Sequence, residues 1–248
     1  MNNIEKLPNP STTKRIMSLI TKLFQFVLMT SNKYQIDESH GLAHSMNVLH
    51  FANNIYEAEK KNHPILEGQA KVIFVSAIIH DMCDKKYVDE SEGLYNINAF
   101  LDDKMTREEI DMTKKIINTM SYSKVKKIGF PELHEYQMAY HIVREADLLS
   151  AYDFDRCMLY KIYNVNNVCK IYNENNTHNK NSDEHGQNEM DILDAFNNAN
   201  ELFQNRVLKH NVDGLFITEY SRYNYLPLHI EAIKRIHSWK QILRKPMV

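Results

Sequence analysis

The sequence contains little glycine, proline or cysteine, with six, six and three of these residues among 248. Scarce glycine and proline disfavour a β-rich fold with many tight turns and favour long helices. The three cysteines, Cys83, Cys157 and Cys169, are too few and too scattered for a disulfide framework or a thiolate zinc site. They indicate reduced thiols inside a cell.

The sequence also lacks a basic excess and a long apolar run. Lys and Arg total 30 against 32 for Asp and Glu, which disfavours a protein whose main task is to bind nucleic acid or an anionic membrane surface. No segment approaches the roughly 20 apolar residues of a membrane span. Lys22 and Gln25 interrupt residues 16–29, the one stretch that imitates a signal peptide. We therefore expect a cytoplasmic protein without a membrane partner.

Apolar periodicity predicts an all-α fold of about eight or nine helices, arranged as a single domain over residues 1–248. The helices are expected at residues 16–28, 39–60, 70–79, 106–120, 131–150, 152–172, 187–209 and 227–245. Residues 173–188 are almost free of apolar side chains and predict a polar loop. The segment from 187 to 248 then forms a C-terminal helical extension.

Local signals support several of these helices. Thr106 and Glu109 have the spacing of a capping box at the start of a helix, and Asp37 or Ser39 is a candidate cap for the helix over 39–60. Residues 70–79 hold eight apolar positions in ten. That pattern fits either a buried strand or a helix buried all round, and the helical neighbours favour the helix.

Two predicted helices carry ionisable side chains on faces that their apolar residues mark as buried. His40 and His44 continue the apolar stripe of one helix, and Asp147 lies on the stripe of another. His80 and Asp81 end the most apolar segment of the chain. Unpaired buried carboxylates cost several kcal/mol each, so these groups need a common partner. A divalent cation meets that need.

This donor set contains nitrogen and oxygen but no sulfur. It leaves room for water ligands in an octahedron, which favours Mn, Fe, Co, Ni or Mg over a closed tetrahedral Zn site. We expect one divalent ion, with Mn favoured. Each residue alone has a plainer interpretation as a satisfied core histidine or a helix cap, so the hypothesis depends on their coincidence. The His40–His44 spacing also occurs in zinc proteases, but Gly41 replaces the catalytic Glu of that motif.

The order of His44, His80, Asp81 and Asp147 resembles that of the HD-domain superfamily of metal-dependent phosphohydrolases. Three local contexts resemble it too: ESHGLAHSMNV over 38–48, IIHDMCDKKY over 78–87 and IVREADLLSAY over 142–152. The likeness covers about residues 36–160 and is nearest to small members that act on nucleotides or related phosphates. It implies an HD-type helical bundle.

The resemblance implies roles for individual residues. His44, His80, Asp81 and Asp147 are the expected metal ligands, and Asp84 is the expected acceptor of the proton of the attacking water. His40 is expected to contact a ligand residue or the phosphate, four residues before His44.

Cationic side chains near this site are expected to neutralise phosphate charge. The candidates are Lys85, Lys86 and Arg144, with Lys85 and Arg144 favoured. Three further lysines, Lys124, Lys126 and Lys127, are expected in a loop, where a solvated surface is the favoured interpretation. The chain departs from the family pattern in two places. Met120 stands where relatives often carry a histidine, and Glu145 where they often carry an aspartate.

The implied function is hydrolysis of a phosphoester or phosphoanhydride bond in a nucleotide or similar small phosphorylated substrate. The first alternative is a catalytically silent, metal-binding regulatory or scaffold protein of the same fold. A two-iron oxygenase is the second, although the only spare histidines, His134 and His141, lie in the wrong helical phase relative to Asp147. A nucleic-acid-binding module is the third. The oligomeric state is open.

Overall fold

The computed structural model describes residues 10–162 and 192–244, and within them it contains helices but no strand. The predicted all-α class is confirmed. Ten α-helices occur in this part of the chain: α1 (Pro10–Tyr34), α2 (Leu42–Glu59), α3 (Leu66–Ile79), α4 (Glu90–Leu101), α5 (Arg107–Thr119), α6 (Tyr122–Ile128), α7 (Gln137–Ser150), α8 (154–162), α9 (Ile192–Asn205) and α10 (Glu219–Leu243). The organisation of residues 1–248 as a single domain stays a prediction.

Helices α2, α3 and α7 form the centre of the fold and pack against one another. Helix α3 is surrounded by α1, α2, α5 and α7, so its apolar residues are buried on every side, including Val72, Ile73, Val75 and Ile78. A helix that is apolar all round belongs in such a position. This environment explains why periodicity alone left residues 70–79 ambiguous, and it confirms the helical interpretation.

The cap predicted for α2 is wrong. The helix begins at Leu42, and Gly41 occupies the N-cap position without a side-chain hydrogen bond. Asp37 instead closes the preceding turn, where its carboxylate accepts the Ser39 backbone N–H at 2.9 Å. His40 therefore lies just before the helix rather than on its apolar stripe.

Helix α7 begins six residues later than predicted. Its first residue is Gln137, whose side-chain oxygen accepts the Leu133 backbone N–H at 2.9 Å. Residues 131–133 are not helical, and His134–Tyr136 form a short 3-10 helix. Helix α7 ends at Ser150, and Asp153 then accepts the backbone N–H of Arg156 at 3.0 Å in the first turn of α8. Helix α7 thus ends at the predicted residue, and the next helix begins at residue 154.

Helix α10 begins eight residues before the predicted start at Pro227. Thr218 caps it, and the buried carboxylate of Glu145 accepts the Thr218 backbone N–H at 3.1 Å. Glu59 accepts the backbone N–H of Tyr220 at 3.0 Å. Carboxylates from α2 and α7 thus accept hydrogen bonds from free N–H groups at the start of α10. Their negative charge also interacts favourably with the positive end of the helix dipole.

Other local predictions have mixed outcomes. The capping box of α5 is confirmed, with Thr106 and Glu109 bonded reciprocally. Helix α4 was not predicted, although Asp89 caps it by accepting two backbone N–H groups. Residues 124–127 were expected in a loop and lie in α6. The predicted polar loop over 173–188 lies outside the described residues.

None of the helices in the described ranges combines the length and the apolar character needed to cross a bilayer.

Candidate metal centre

Four side chains from three segments converge where α2, α3 and α7 meet. His44 lies in the first turn of α2, His80 ends α3 and precedes Asp81, and Asp147 lies in the last turn of α7. Nε2 of His44 is 3.1 Å from Nε2 of His80, 3.3 Å from Oδ2 of Asp81 and 3.4 Å from Oδ1 of Asp147. Nε2 of His80 is 3.2 and 3.6 Å from the same two carboxylate oxygens. The structure brings together all four predicted ligands.

These separations fit donors that share one ion. Two donor atoms about 2.1 Å from an ion and at right angles to each other are roughly 3.0 Å apart. Oδ2 of Asp81 is buried and forms no hydrogen bond within the described residues, although two imidazole nitrogens lie close to it. Atoms that approach one another without bonding are expected where each is directed at a common partner. The donor set therefore fits a divalent cation.

The environment of His80 supports this fit. Its Nδ1 lies 3.0 Å from the carbonyl oxygen of Ala77. A carbonyl only accepts hydrogen bonds, so Nδ1 carries the proton and donates it. In the neutral ring, Nε2 then presents its lone pair to the point where the four side chains converge. A backbone acceptor of this kind commonly orients metal-binding histidines.

His44 has two partners on the opposite side of its ring. Its Nδ1 lies 2.8 Å from a guanidinium nitrogen of Arg156 and 3.4 Å from Oγ of Ser150. Arginine only donates, so with Arg156 as partner Nδ1 accepts and Nε2 carries the proton. Metal binding through Nε2 requires the other tautomer, in which Nδ1 donates to Ser150. Arg156 then keeps its 2.7 Å bond to the Ser39 carbonyl.

His80, Asp81 and Asp147 hold one another in their charged forms. Burial opposes ionisation of all three, but the carboxylates of Asp81 and Asp147 raise the pKa of His80 well above its usual value. The imidazoles of His44 and His80 in turn hold the pKa of both carboxyls well below their usual range, against the effect of burial. Both carboxylates are therefore ionised at neutral pH, and a metal ion would displace the His80 Nε2 proton.

Asp147 is less buried than its position on an apolar stripe suggested. Its side chain is 29% exposed because it faces a cavity of about 360 Å³. That volume lies at the lower end of the range for small-molecule sites. Polar and aromatic side chains line the cavity, among them His40, Asp84, Lys86, Tyr122, Arg156, Tyr160, Lys161 and Arg206.

The structure places Asp84 and His40 in this cavity beside the four converging side chains. Asp84 lies beyond the end of α3 and therefore does not share a helical face with His80. Its carboxylate accepts the Lys86 backbone N–H at 3.0 Å and pairs with the Lys86 ammonium at 3.1 Å. Nδ1 of His40 lies 2.7 Å from Oγ of Ser39 and 3.2 Å from the hydroxyl of Tyr87.

The two cations favoured as phosphate contacts, Lys85 and Arg144, lie outside the cavity, whereas Lys86 lines it. Lys85 is exposed and does not line the cavity. Arg144 is 1% exposed and forms an ion pair with Glu145 at 2.9 Å. It also donates to the carbonyl of Leu215 at 2.5 Å. Arg144 therefore joins α7 to the segment before α10, and this placement contradicts its expected contact with phosphate.

Of the cations that line the cavity, sequence reasoning named Lys86 but missed Arg156, Lys161 and Arg206. The three that it missed come from α8 and from the residue that follows α9. No spacing in the sequence connects these segments to His44 or Asp147, so the sequence carries no signal for them.

The two spare histidines do not extend the metal centre. His134 is exposed, and His141 is buried, with its Nε2 3.3 Å from the side-chain amide of Gln137. Burial lowers the pKa of His141 to about 4. Within residues 10–162 and 192–244, His44, His80 and Asp147 form the group whose donor atoms all lie within 4.8 Å of one another.

The chain shows no significant match to a protein-family model, a curated protein or a solved structure.

Proposed function

We propose that the protein is a metal-dependent phosphohydrolase of the HD type. Its substrate would be a nucleotide or similar small compound with a phosphoester or phosphoanhydride bond. The observation that carries the proposal is the convergence of two imidazole nitrogens that lie 3.1 Å apart, each 3.2–3.6 Å from an oxygen of Asp81 and from an oxygen of Asp147, on the wall of a cavity. The three sequence contexts that resemble the HD superfamily contain these same four residues.

His44, His80, Asp81 and Asp147 would hold the ion. Such an ion polarises a phosphoryl oxygen and makes water a nucleophile near neutral pH. His80 is held in the required tautomer by Ala77. Arg156, bonded to the Ser39 carbonyl, fixes a positive charge beside His44.

Asp84 is the candidate proton acceptor. It lines the cavity beside the Lys86 ammonium, so its carboxylate can take the proton of an attacking water. Such general-base assistance typically contributes about 10²–10⁴-fold in rate. Lys86 keeps Asp84 in place through two contacts and supplies positive charge at the cavity wall.

The test is turnover of nucleoside mono-, di- and triphosphates with Mn, Co, Ni and Mg, combined with metal analysis. Asp81→Ala should lose both metal and turnover, because it removes a ligand. Asp84→Asn should keep the metal and lose about 10²–10⁴ in rate. Asp111→Asn is the matched control, since Asp111 lies on the exposed side of α5 and pairs with Lys114.

Three outcomes would count against the proposal. Full metal occupancy in Asp81→Ala would end the ligand assignment. Wild-type turnover in Asp84→Asn would remove Asp84 as the base. Metal binding without turnover across the whole panel would favour a silent, metal-binding scaffold protein.

A further inference from the structure

Arg206 has an unusual environment in the cavity that contains the candidate metal centre. It follows the last residue of α9 and lines the cavity together with His44 and Asp147. Its guanidinium carbon lies 4.2 Å from the centroid of the Tyr122 ring. Within the described ranges, the guanidinium forms neither a hydrogen bond nor an ion pair. Burial lowers its pKa, but an arginine stays charged.

Apart from Arg206, two arginine side chains are buried or half-buried in the described parts of the chain, and both have acceptors. Arg144 donates to the carbonyl oxygen of Leu215, and Arg156 donates to that of Ser39. A partly buried guanidinium without an acceptor is costly. The exception at Arg206 therefore indicates that its acceptor is a molecule that enters the cavity.

Two of the other three cations of the cavity have acceptors in the protein. Lys86 pairs with Asp84 at 3.1 Å, and Arg156 is bonded to Ser39. The third, Lys161, has no acceptor among the described residues, and its ammonium lies 5.8 Å from the centroid of the Tyr160 ring. The Arg206 guanidinium lies over the Tyr122 ring with its donors unused. This contact limits its rotamers, so it loses little freedom when it binds a ligand.

We propose that Arg206 is an anion receptor that binds a phosphate group of the ligand that reaches the candidate metal centre. Guanidinium binds phosphate oxygens through paired, charge-assisted hydrogen bonds. The volume of about 360 Å³ suits a small phosphorylated compound and not a polymer. The proposal rests on the proposed function for its substrate, but the affinity of Arg206 for phosphate can be measured without any turnover.

The experiment measures binding of inorganic phosphate to the full chain by calorimetry, once with Mn²⁺ and once after removal of metal with EDTA. Arg206→Ala should bind phosphate at least tenfold more weakly in both conditions, because it removes a charge-assisted pair of hydrogen bonds. Arg206→Lys should be intermediate, since lysine keeps the charge but not the fork of donors. The affinity for Mn²⁺ should stay within twofold of wild type.

Arg107→Ala is the matched control, because Arg107 is exposed in the first turn of α5, outside the residues that line the cavity. It should bind phosphate as wild type does. Circular dichroism checks that each variant is folded. If Arg206→Ala does not fold, Arg206→Lys and Arg206→Gln replace it, and equal phosphate affinity in these two would overturn the proposal.

Two results contradict the role of Arg206 directly. One is wild-type phosphate affinity in folded Arg206→Ala, and the other is no phosphate binding by the wild type in either condition. Failure of the proposed function looks different. Suppose that the wild type does not bind Mn²⁺ but binds phosphate in EDTA, and that Arg206→Ala binds phosphate more weakly. This result would disprove the metal centre and support the anion receptor.

Discussion

Glu145 and Asp147 lie two residues apart on α7, but their surroundings differ completely. Glu145 is fully buried and accepts hydrogen bonds from the backbone N–H of Ile217 at 2.7 Å, from the hydroxyl of Thr218 at 2.6 Å and from Arg144 at 2.9 Å. Asp147 is 29% exposed, and imidazole nitrogens approach its Oδ1 no closer than 3.4 Å. A carboxylate whose acceptor capacity is filled fixes the fold, whereas an unfilled one is available to an external cation.

The difference separates structure from function along one helix. The Glu145 cluster joins α7 to the start of α10, and every partner belongs to the protein. The Asp147 cluster places two carboxylates and two imidazoles around one point, and Oδ2 of Asp81 lacks a hydrogen bond within the described residues. Removing a charge should therefore destabilise the first cluster strongly and should abolish ligand binding at the second.

The largest expected effect on stability is that of Glu145→Ala. It leaves the buried Arg144 guanidinium without its counter-ion and frees two backbone N–H groups. Loss of one partner of a buried pair typically lowers the free energy of unfolding by about 3–5 kcal/mol. Urea denaturation measures the change. The double variant Arg144→Met/Glu145→Leu should recover part of the loss, and a change below about 1 kcal/mol in Glu145→Ala would contradict the structural role of this cluster.

A smaller effect is expected when Mn²⁺ is added. At a concentration 100 times its Kd, an ion that binds only the folded state raises the free energy of unfolding by about 2.7 kcal/mol. The wild type should show this gain, and Asp147→Asn should lose it because a ligand is missing. Thermal unfolding with and without Mn²⁺ compares the two. An equal gain in both proteins would place the ion elsewhere.

The smallest of the three effects concerns His210, which is fully buried and has no hydrogen-bond partner for either ring nitrogen within the described residues. Burial lowers its pKa from 6.5 to about 3. Between about pH 6.5 and pH 3 the unfolded chain binds a proton at His210 and the folded protein does not. The free energy of unfolding therefore falls as the pH drops through this range, by about 2 kcal/mol at pH 5.

His210→Phe keeps an aromatic ring among Tyr122, Tyr152 and Phe216 and removes the titrating group. The free energy of unfolding of His210→Phe, measured relative to that of the wild type, should be about 2 kcal/mol higher at pH 5 than at pH 7.5. Urea denaturation at the two pH values measures this difference. A variant whose stability changes in parallel with that of the wild type would show that His210 does not titrate on unfolding.

Much of the fold was predictable because its signals are local. The apolar repeat predicted the course of α1, and the capping box of Thr106 and Glu109 fixed the start of α5. The start of α10 was not predictable in the same way. It depends on carboxylates of Glu59 and Glu145, which are distant in sequence and meet the helix only in the folded chain.

The candidate ligands were predictable for two reasons. Each lies in a sequence context that resembles the HD superfamily, and ionisable residues there interrupt apolar stripes. Most of the cations around them could not be predicted from the sequence. The helical patterns around Arg144 and Arg206 do not indicate the partners of these side chains. Arg144 is paired within the core, whereas Arg206 faces the cavity. The position of Arg206 depends on how α9 packs against its neighbours in the folded chain.

The most direct test of the central claim is anomalous diffraction from crystals grown with Mn²⁺. The arrangement described above requires one anomalous peak within bonding distance of Nε2 of His44, Nε2 of His80 and carboxylate oxygens of Asp81 and Asp147. Crystals of Asp81→Ala should lack that peak. A manganese ion bound elsewhere, or saturating Mn²⁺ with no density between these four side chains, would contradict the metal centre and the hydrolase proposed from it.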